Sequence, residues 1–226
     1  MTHKVAVAAP TGCSNLYHYF ADVPIWPRGL PLNVVRASLP DFEDLPVAEA
    51  RCPIQQGLAD ENPDVDAIYR LVMPLPQSFR SDRRVALGPG AWCPFNSQNT
   101  TWWPETFSLL YLPAYCSFRM TDIWRSFVAQ HICFANDWHI LFHEPTVWQE
   151  RNEHDLMKDF EGEISGYLHN SRIRECLMGI EIAPGACNIP DNLRRCYAAL
   201  VNLGVIDALE LPLLDAWLAD LSHARS

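Results

Sequence analysis

The stretch Ser117-Phe118-Arg119-Met120-Thr121-Asp122-Ile123-Trp124-Arg125 decides how this chain is organised, because a loop ends and a helix begins inside it. The hydroxyl of Thr121 is predicted to cap that helix, since Thr at such a position accepts a bond from a free backbone N–H. Apolar residues follow at the spacing of one helical face: Ile123, Trp124, Phe127, Val128 and Ile132. Asp122 therefore falls in the first turn, where the positive end of the helix dipole keeps a carboxylate charged. We expect it to be exposed as a proton acceptor, although Asp in a first turn more often has a structural role.

On either side of this helix the pattern alternates between short strands and turns. Strands are predicted at Lys4–Ala9, Pro53–Gly57, Asp66–Val72 and His139–His143. The last of these leads into a run from Pro145 to Asn152 that we interpret as a loop.

Downstream of this loop the hydrophobic period changes to that of helices, predicted at Glu153–Asn170, Asp191–Leu203 and after a capping box formed by Asp207 and Glu210. We expect helices and no strand in residues 153–222. The fold class is then α/β, a mixed sheet with a C-terminal helical group. We place a sheet region at 1–170 and a helical extension, packed on the same core, at 171–226.

Composition limits the classes of function. The 226 residues are 49% hydrophobic and 19% charged, enough for one substantial core. The formal net charge of -10 argues against binding of nucleic acid or an anionic membrane surface, since both need Lys and Arg. Small molecules, or a protein partner, are the expected ligands.

The eight cysteines form no Cys-x-x-Cys pair, so we expect reduced thiols, no disulfide and no structural zinc. The apolar run Val5–Ala9 is too short for a signal peptide or a membrane span. We therefore expect a soluble, cytoplasmic protein.

Two segments carry side chains that suit a carbohydrate ligand. Prolines around Trp26 and Arg28 restrict the backbone, so an indole and a guanidinium are presented with little entropy to lose. Packing of both side chains against the core is an equally open interpretation. A second segment sets amides beside a tryptophan, at Trp92, Asn96, Gln98 and Asn99. Amides pair with sugar hydroxyls while Trp covers an apolar sugar face, but the same amides can satisfy loop backbone.

Asp64 and Asp66 have the Asp-x-Asp spacing that holds Mg²⁺ or Mn²⁺ against a nucleotide diphosphate in many enzymes. The spacing is short and common by chance. Asp64 follows Pro63, and it can instead simply close a turn.

Four segments together carry a resemblance to a known family: Ile25–Leu32, Ile54–Leu58, Pro63–Asp66 and Pro145–Val147. The chain resembles the STELLO-like family, glycosyltransferase-like proteins known from plant Golgi membranes. More distantly, the segment from Val65 to Trp148 is similar to the reversibly glycosylated polypeptides, which are UDP-arabinopyranose mutases.

Both resemblances imply a GT-A type fold, a nucleotide-sugar donor and, at Asp122, the carboxylate on the acceptor side. In those families the nucleotide-binding strands and the metal-holding aspartates precede the segment that matches from Tyr17 onward. We therefore expect the donor-binding half to be absent here, and the resemblance makes Asp64 and Asp66 less fitting as metal ligands.

The leading hypothesis is a glycosyltransferase, or the acceptor half of one, that uses Asp122 as a base. Arg119 and Arg125 would offset phosphate charge, and Trp148 would contribute from the loop that begins at Pro145. A second hypothesis is a non-catalytic binding or regulatory module.

A third hypothesis, a metal hydrolase using Glu144 with His139, His143 and His154, is weaker because the spacing is not His-Glu-x-x-His.

Overall fold

A computed structural model of the chain describes residues 1–150 and 153–224. Its sheet has six strands in the order β2-β1-β4-β6-β3-β5. The strands are β1 Thr2–Ala6, β2 Val47–Glu49, β3 Arg51–Glu61, β4 Arg84–Leu87, β5 Thr100–Trp102 and β6 Trp138–Gln149. The pairs β1–β4 and β3–β6 are parallel, whereas β1–β2, β3–β5 and β4–β6 are antiparallel. The prediction of a mixed α/β sheet is confirmed, and the arrangement is consistent with a GT-A-like domain.

Within the described residues, five α-helices accompany the sheet: α1 Ala67–Val72, α2 Thr121–Ala135, α3 Leu156–Met178, α4 Ile189–Asn202 and α5 Glu210–Ala224. Residues 153–222 contain helices and turns but no strand, as the hydrophobic period predicted. The division we placed after residue 170 falls inside α3.

The hydrophobic core lies between the sheet and α2. Phe127 and Ile132 of α2 and Phe142 of β6 are fully buried in it. The same apolar cluster continues through Leu193 of α4 and Leu214 of α5, so the C-terminal helices share the core of the sheet. Each such side chain contributes about 1.5–3 kcal/mol by leaving water.

Two predicted elements are different in the structure. Residues Asp66–Val72 were expected as a strand, but Ala67–Val72 is a helix because the Asp66 carboxylate accepts from the backbone N–H of Tyr69 at 2.7 Å. The predicted loop from Pro145 is instead strand β6 as far as Gln149. Pro145 is tolerated there because the β3–β6 register shifts between Gly57 and Ala59, so the proline lies in an irregular part of the ladder.

The predicted caps also differ. Thr121 makes no cap bond; its hydroxyl donates to the carbonyl of Phe118 at 3.1 Å. Glu210 is not half of a capping box, because its buried carboxylate accepts from the backbone N–H groups of Ala114 and Tyr115. Arg151 and Asn152, the end of the predicted loop, lie outside the described residues.

All eight cysteines are free thiols. In the part of the chain that the structure describes, no helix is long and apolar enough to cross a membrane.

Candidate functional site

A polar cavity of about 300 Å³ opens at the carboxyl ends of β3 and β6. Because these two strands are parallel, both end at the same edge of the sheet, where ligands of α/β proteins commonly bind. Its lining residues are Arg28, Asn62, Asp64, Arg70, Gln98, Arg119, Asp122, Gln149 and His154. Asn62 directly follows β3, Gln149 ends β6, and Asp122 lies in the first turn of α2. We call this site the polar cavity.

Arg28 is the buried cation of the polar cavity, with 7% of its side chain exposed. Its Nε and Nη2 donate to the two carboxylate oxygens of Asp64 at 2.8 and 2.7 Å. Its Nη1 and Nη2 donate to the two oxygens of Asp122 at 3.0 and 2.9 Å. The remaining N–H, on Nη1, donates to the carbonyl of Arg119. All five N–H groups of the guanidinium therefore have acceptors, which fixes its plane between the two carboxylates.

The segment that carries Arg28 is shaped by the glycine after it. Gly29 has φ +87°, a conformation that costs little for glycine and more for any residue with a Cβ. The backbone N–H of Arg28 also donates to the carbonyl of Asp64 at 3.0 Å. Backbone and side chain thus hold the same pair of residues together.

Asp122 is more buried than the sequence led us to expect, with 12% of its side chain exposed. Besides the two bonds from Arg28, its Oδ2 accepts from the backbone N–H of Ser97 at 3.0 Å. The Ser97 hydroxyl in turn accepts from Arg125 at 2.9 Å. The expected exposed carboxylate is therefore a buried ion-pair partner whose remaining surface faces the polar cavity.

Arg119 is positioned from the other side of the cavity by α3. Its Nε donates to Glu163 Oε1 at 3.0 Å, and its Nη2 donates to the same oxygen. Glu163 is fully buried, and its Oε2 accepts from the backbone N–H of Ala67 at 2.8 Å and from the Tyr167 hydroxyl at 2.6 Å. A buried carboxylate with this many donors is a rigid anchor for the guanidinium.

Amide side chains complete the wall between the two strand ends. Gln98 donates to the carbonyl of Asn62 at 2.9 Å and to the side chain of Gln149, and it accepts from the backbone N–H of Asp64 at 3.1 Å. Asn62 donates to the carbonyl of Gln149 at 3.1 Å. The amides therefore join β3, β6 and the loop before β5.

The buried charges perturb one another. Burial lowers the pKa of Arg28, but Asp64 and Asp122 outweigh it and hold that pKa well above its ordinary value. Burial raises the pKa of Asp64, and the Arg28 guanidinium outweighs this, so that the pKa lies below its ordinary value. At neutral pH the Arg28–Asp64 pair is therefore charged.

Comparison with known proteins agrees with the sequence resemblance. A family model described as STELLO glycosyltransferases matches residues 119–225, from Arg119 of the polar cavity through the C-terminal helices. The Arabidopsis thaliana protein named "Probable glycosyltransferase STELLO2" is 27% identical over 220 residues. Over these residues the chain is similar to the STELLO glycosyltransferases. "Probable glycosyltransferase STELLO1" from the same plant is 30% identical over 139 residues, or 59% of this chain.

The chain spans only part of the length of these relatives. The match to STELLO2 covers 92% of this chain but 27% of STELLO2, and the match to STELLO1 covers 18% of that protein. Both relatives are named as probable glycosyltransferases. The more distant resemblance to the reversibly glycosylated polypeptides stays a prediction.

Several predicted binding residues lie outside the polar cavity. Trp92 is buried in the core, where its ring stacks on Phe127 with centroids 5.9 Å apart. Trp26 is also buried, and its Nε1 donates to Asp66 at 2.7 Å. Arg125 lies over the ring of Trp102 at 4.8 Å. For Trp26 the open alternative, packing against the core, is what the structure has, and Trp92 packs in the core as well.

The predicted amides divide between ligand-facing and structural positions. Gln98 lines the polar cavity. Asn96 is buried, and its backbone N–H donates to Gln56 at 2.8 Å. Asn99 donates to the carbonyl of Leu58 and to the Thr146 hydroxyl, both at 2.9 Å. Asn96 and Asn99 thus hold the segment that presents Gln98, and Trp148 lies on the outer rim beside Gln149.

Asp64 and Asp66 do not form a metal site in this arrangement. Both oxygens of Asp64 accept from Arg28, while those of Asp66 accept from Tyr69 and Trp26. Among the described residues, no group of three or more His, Cys, Asp and Glu side chains is placed to hold a metal ion. The residues do not fit Mn²⁺ or Mg²⁺, and that cofactor stays a prediction without assigned ligands.

The histidines of the hydrolase hypothesis are dispersed. His139 Nδ1 lies 2.7 Å from the carbonyl of Leu87, and His143 Nδ1 lies 2.8 Å from the carbonyl of Glu144. The Glu144 carboxylate is paired with Arg84. Only His154 of this set lines the polar cavity.

Sequence reasoning missed three cavity residues, which are Asn62, Arg70 and Gln149. A signal for two of them was present, because Asn62 and Gln149 follow or end strands that pair in parallel. Polar residues at the carboxyl ends of parallel strands meet at one edge. Arg70 was hidden by the wrong assignment of α1 as a strand.

Proposed function

We propose that this STELLO-like chain takes part in sugar transfer from a nucleotide-sugar donor to a carbohydrate acceptor, with Asp122 as the acceptor-side base. The observation that carries the proposal is a carboxylate in the first turn of α2 that faces a polar cavity lined by three arginines and three amides. This set of groups suits a ligand with hydroxyls and phosphate. Family similarity supports the broader glycosyltransferase-like role.

Asp122 retains room for a substrate proton. A carboxylate offers about four acceptor sites, and Arg28 and Ser97 together use three on this one. The free site belongs to Oδ1 and can accept a hydrogen bond from a hydroxyl of the carbohydrate acceptor. The base would remove that proton as the sugar leaves its diphosphate, a step that is usually worth a factor of about 10²–10⁴ in rate.

Other cavity residues would bind rather than react. Arg119, held by Glu163, and Arg70 are cations on the cavity wall that can offset phosphate charge. Gln98 and Asn62 carry amides that can exchange their present partners for sugar hydroxyls. Arg125 would act indirectly, because it donates a hydrogen bond to the Ser97 hydroxyl.

The test is a matched pair of variants, Asp122→Asn and Asp64→Asn. Each replaces one of the two carboxylates that pair with Arg28, so each is expected to lower the free energy of unfolding by about 2 kcal/mol. Only Asp122→Asn removes the proposed base. Transfer from a panel of UDP-sugars to carbohydrate acceptors, with and without Mn²⁺, should fall about a hundredfold or more in Asp122→Asn alone.

Binding is measured separately on the same proteins. A nucleotide sugar that binds only the folded form, present at 100 times its Kd, should raise the free energy of unfolding by about 2.7 kcal/mol. Both variants should keep most of this effect. A folded Asp122→Asn protein that transfers sugar as fast as Asp64→Asn would refute the role of Asp122.

A second candidate is a non-catalytic binding or regulatory module, with a protein partner. The observation that favours it is the near-complete engagement of Asp122 by Arg28 and Ser97, as in a structural ion pair. In that case nucleotide sugars would stabilise the wild-type protein without any transfer, and Asp122→Asn would change stability alone.

A further inference from the structure

A second pocket, of about 610 Å³, adjoins the polar cavity on its outer side. We call it the outer pocket. Its lining residues are Asp60, Glu61, Asn62, Trp148, Gln149 and Glu150. Asn62 and Gln149 line both spaces, so the two pockets are neighbours.

Trp148 is the unusual side chain of the outer pocket. It is 68% exposed, although Trp is among the residues with most apolar surface to bury. It lies on β6, paired in register with Asp60 of β3, so its backbone is held by the sheet. An indole on a rigid strand, open to solvent beside polar groups, is suited to cover the flat apolar face of a sugar ring.

The backbone at this rim is also constrained. Glu61 has φ +70°, which is uncommon for a residue with a side chain. Two backbone bonds with Gln77, at 2.8 and 3.1 Å, hold it there. Strained backbone of this kind clusters at ligand sites, where the surrounding structure maintains it.

Charge differs between the two spaces. Three arginines and two aspartates line the polar cavity, whereas three acidic residues, Asp60, Glu61 and Glu150, line the outer pocket. Carboxylates and amides pair with hydroxyls, but carboxylates repel phosphates and uronic acids. The outer pocket therefore suits an uncharged, hydroxyl-rich group.

We propose that the outer pocket binds one unit of an uncharged oligosaccharide, stacked on Trp148, while the next unit of the same chain reaches the polar cavity. This inference rests on the proposed function and specifies its acceptor as a neutral oligosaccharide of at least two units. Asn62 and Gln149 lie at the junction between the two units.

The experiment compares Trp148→Ala with Trp103→Ala. Trp103 is the matched control, because it is 51% exposed and lines neither space. Affinities of the full chain are measured by calorimetry for gluco-, manno-, xylo- and galacto-oligosaccharides of one to four units, and for UDP-sugars. In at least one series the wild type should bind the disaccharide about tenfold more tightly than the monosaccharide.

Trp148→Ala should lose about tenfold on that disaccharide and on longer members, and should keep its affinity for the monosaccharide and for UDP-sugars. Trp103→Ala should behave as wild type. Three results would overturn the inference: affinity that is independent of oligosaccharide length, equal losses of affinity in Trp148→Ala and Trp103→Ala, or equally tight binding of a uronic-acid oligosaccharide. UDP-sugar binding is the separate readout: its absence from the wild type counts against the proposed function, and its presence without chain-length dependence counts against this inference alone.

Discussion

Replacement of Arg28 by Met tests whether the buried charge network holds the polar cavity together. The side chain is 7% exposed, and the carboxylates of Asp64 and Asp122 that it pairs with are 13% and 12% exposed. Removing the cation leaves both of them without their shared partner. Loss of one member of a buried ion pair costs about 3–5 kcal/mol, so we expect roughly 4 kcal/mol of lost unfolding free energy at pH 7. In a chain of this size the melting temperature would fall by roughly 8–16 °C.

The stability lost in Arg28→Met should depend on pH, and the direction of that dependence can be predicted. With Arg28 present, the folded-state pKa of Asp64 lies below its ordinary value. The stability linked to this shift is present at pH values above the ordinary pKa, and it is lost as pH falls through the lowered pKa. In Arg28→Met the main opposing charge is gone, and burial, opposed only by the more weakly acting Arg119 and Arg70, should raise the folded-state pKa of Asp64. Protonation then relieves the buried charge, and the stability difference from wild type should narrow as pH falls from about 7 to about 4.

The assay is urea unfolding followed by tryptophan fluorescence at several pH values. Arg36→Met is the control, because Arg36 is exposed and its loss should change stability by no more than about 0.5 kcal/mol. A cost for Arg28→Met below about 1 kcal/mol, or a difference that stays constant with pH, would refute the reasoning.

Two further predictions concern the surroundings of the site. Burial raises the pKa of Asp66 to about 6 from its ordinary 3.8, so the folded state retains a proton that the unfolded state has lost. The stability linked to this shift is complete below pH 3.8 and is lost as pH rises through about 6. Between pH 4 and 7 the unfolding free energy should therefore fall with rising pH in wild type, and this fall should be absent from Asp66→Asn. Equal slopes in the two proteins would contradict the prediction. Gly29→Ala should cost about 3 kcal/mol in thermal unfolding, because φ is +87° and the new Cβ would lie 2.4 Å from Cγ2 of Ile123. Gly204→Ala, with φ +77° and no atom within 4 Å of the new Cβ, should cost only about 1 kcal/mol, and an equal cost for both would contradict the steric argument.

Periodicity predicted much of the fold. The C-terminal helices were correct in type because their apolar residues recur at helical spacing. The strand at His139–His143 was correct because it contains a short continuous apolar run, which is buried. The run Asp66–Val72 was wrong because six helical residues are too few to show a period, and one carboxylate cap decided the outcome. The loop predicted from Pro145 was wrong because a register shift lets the sheet continue past a proline.

The candidate site was only partly predictable. Asp122 and Gln98 were recognised from local chemistry, and both line the polar cavity. The pairing of Asp122 with Arg28 joins residues 94 positions apart, so no local pattern contains it. The burial of Trp26 and Trp92 depends in the same way on contacts between distant segments.

The contacts of the last helix, α5, predict how this part of the structure unfolds locally. Glu210, at the first position of α5, accepts from the Tyr111 hydroxyl and from two backbone N–H groups in the segment that leads towards Arg119. A buried carboxylate cannot lose those donors without a large cost. Amide protons of residues 114 and 115 and those of α5 should therefore exchange with solvent in one cooperative event, so that opening of α5 sets how often the segment before Arg119 is released.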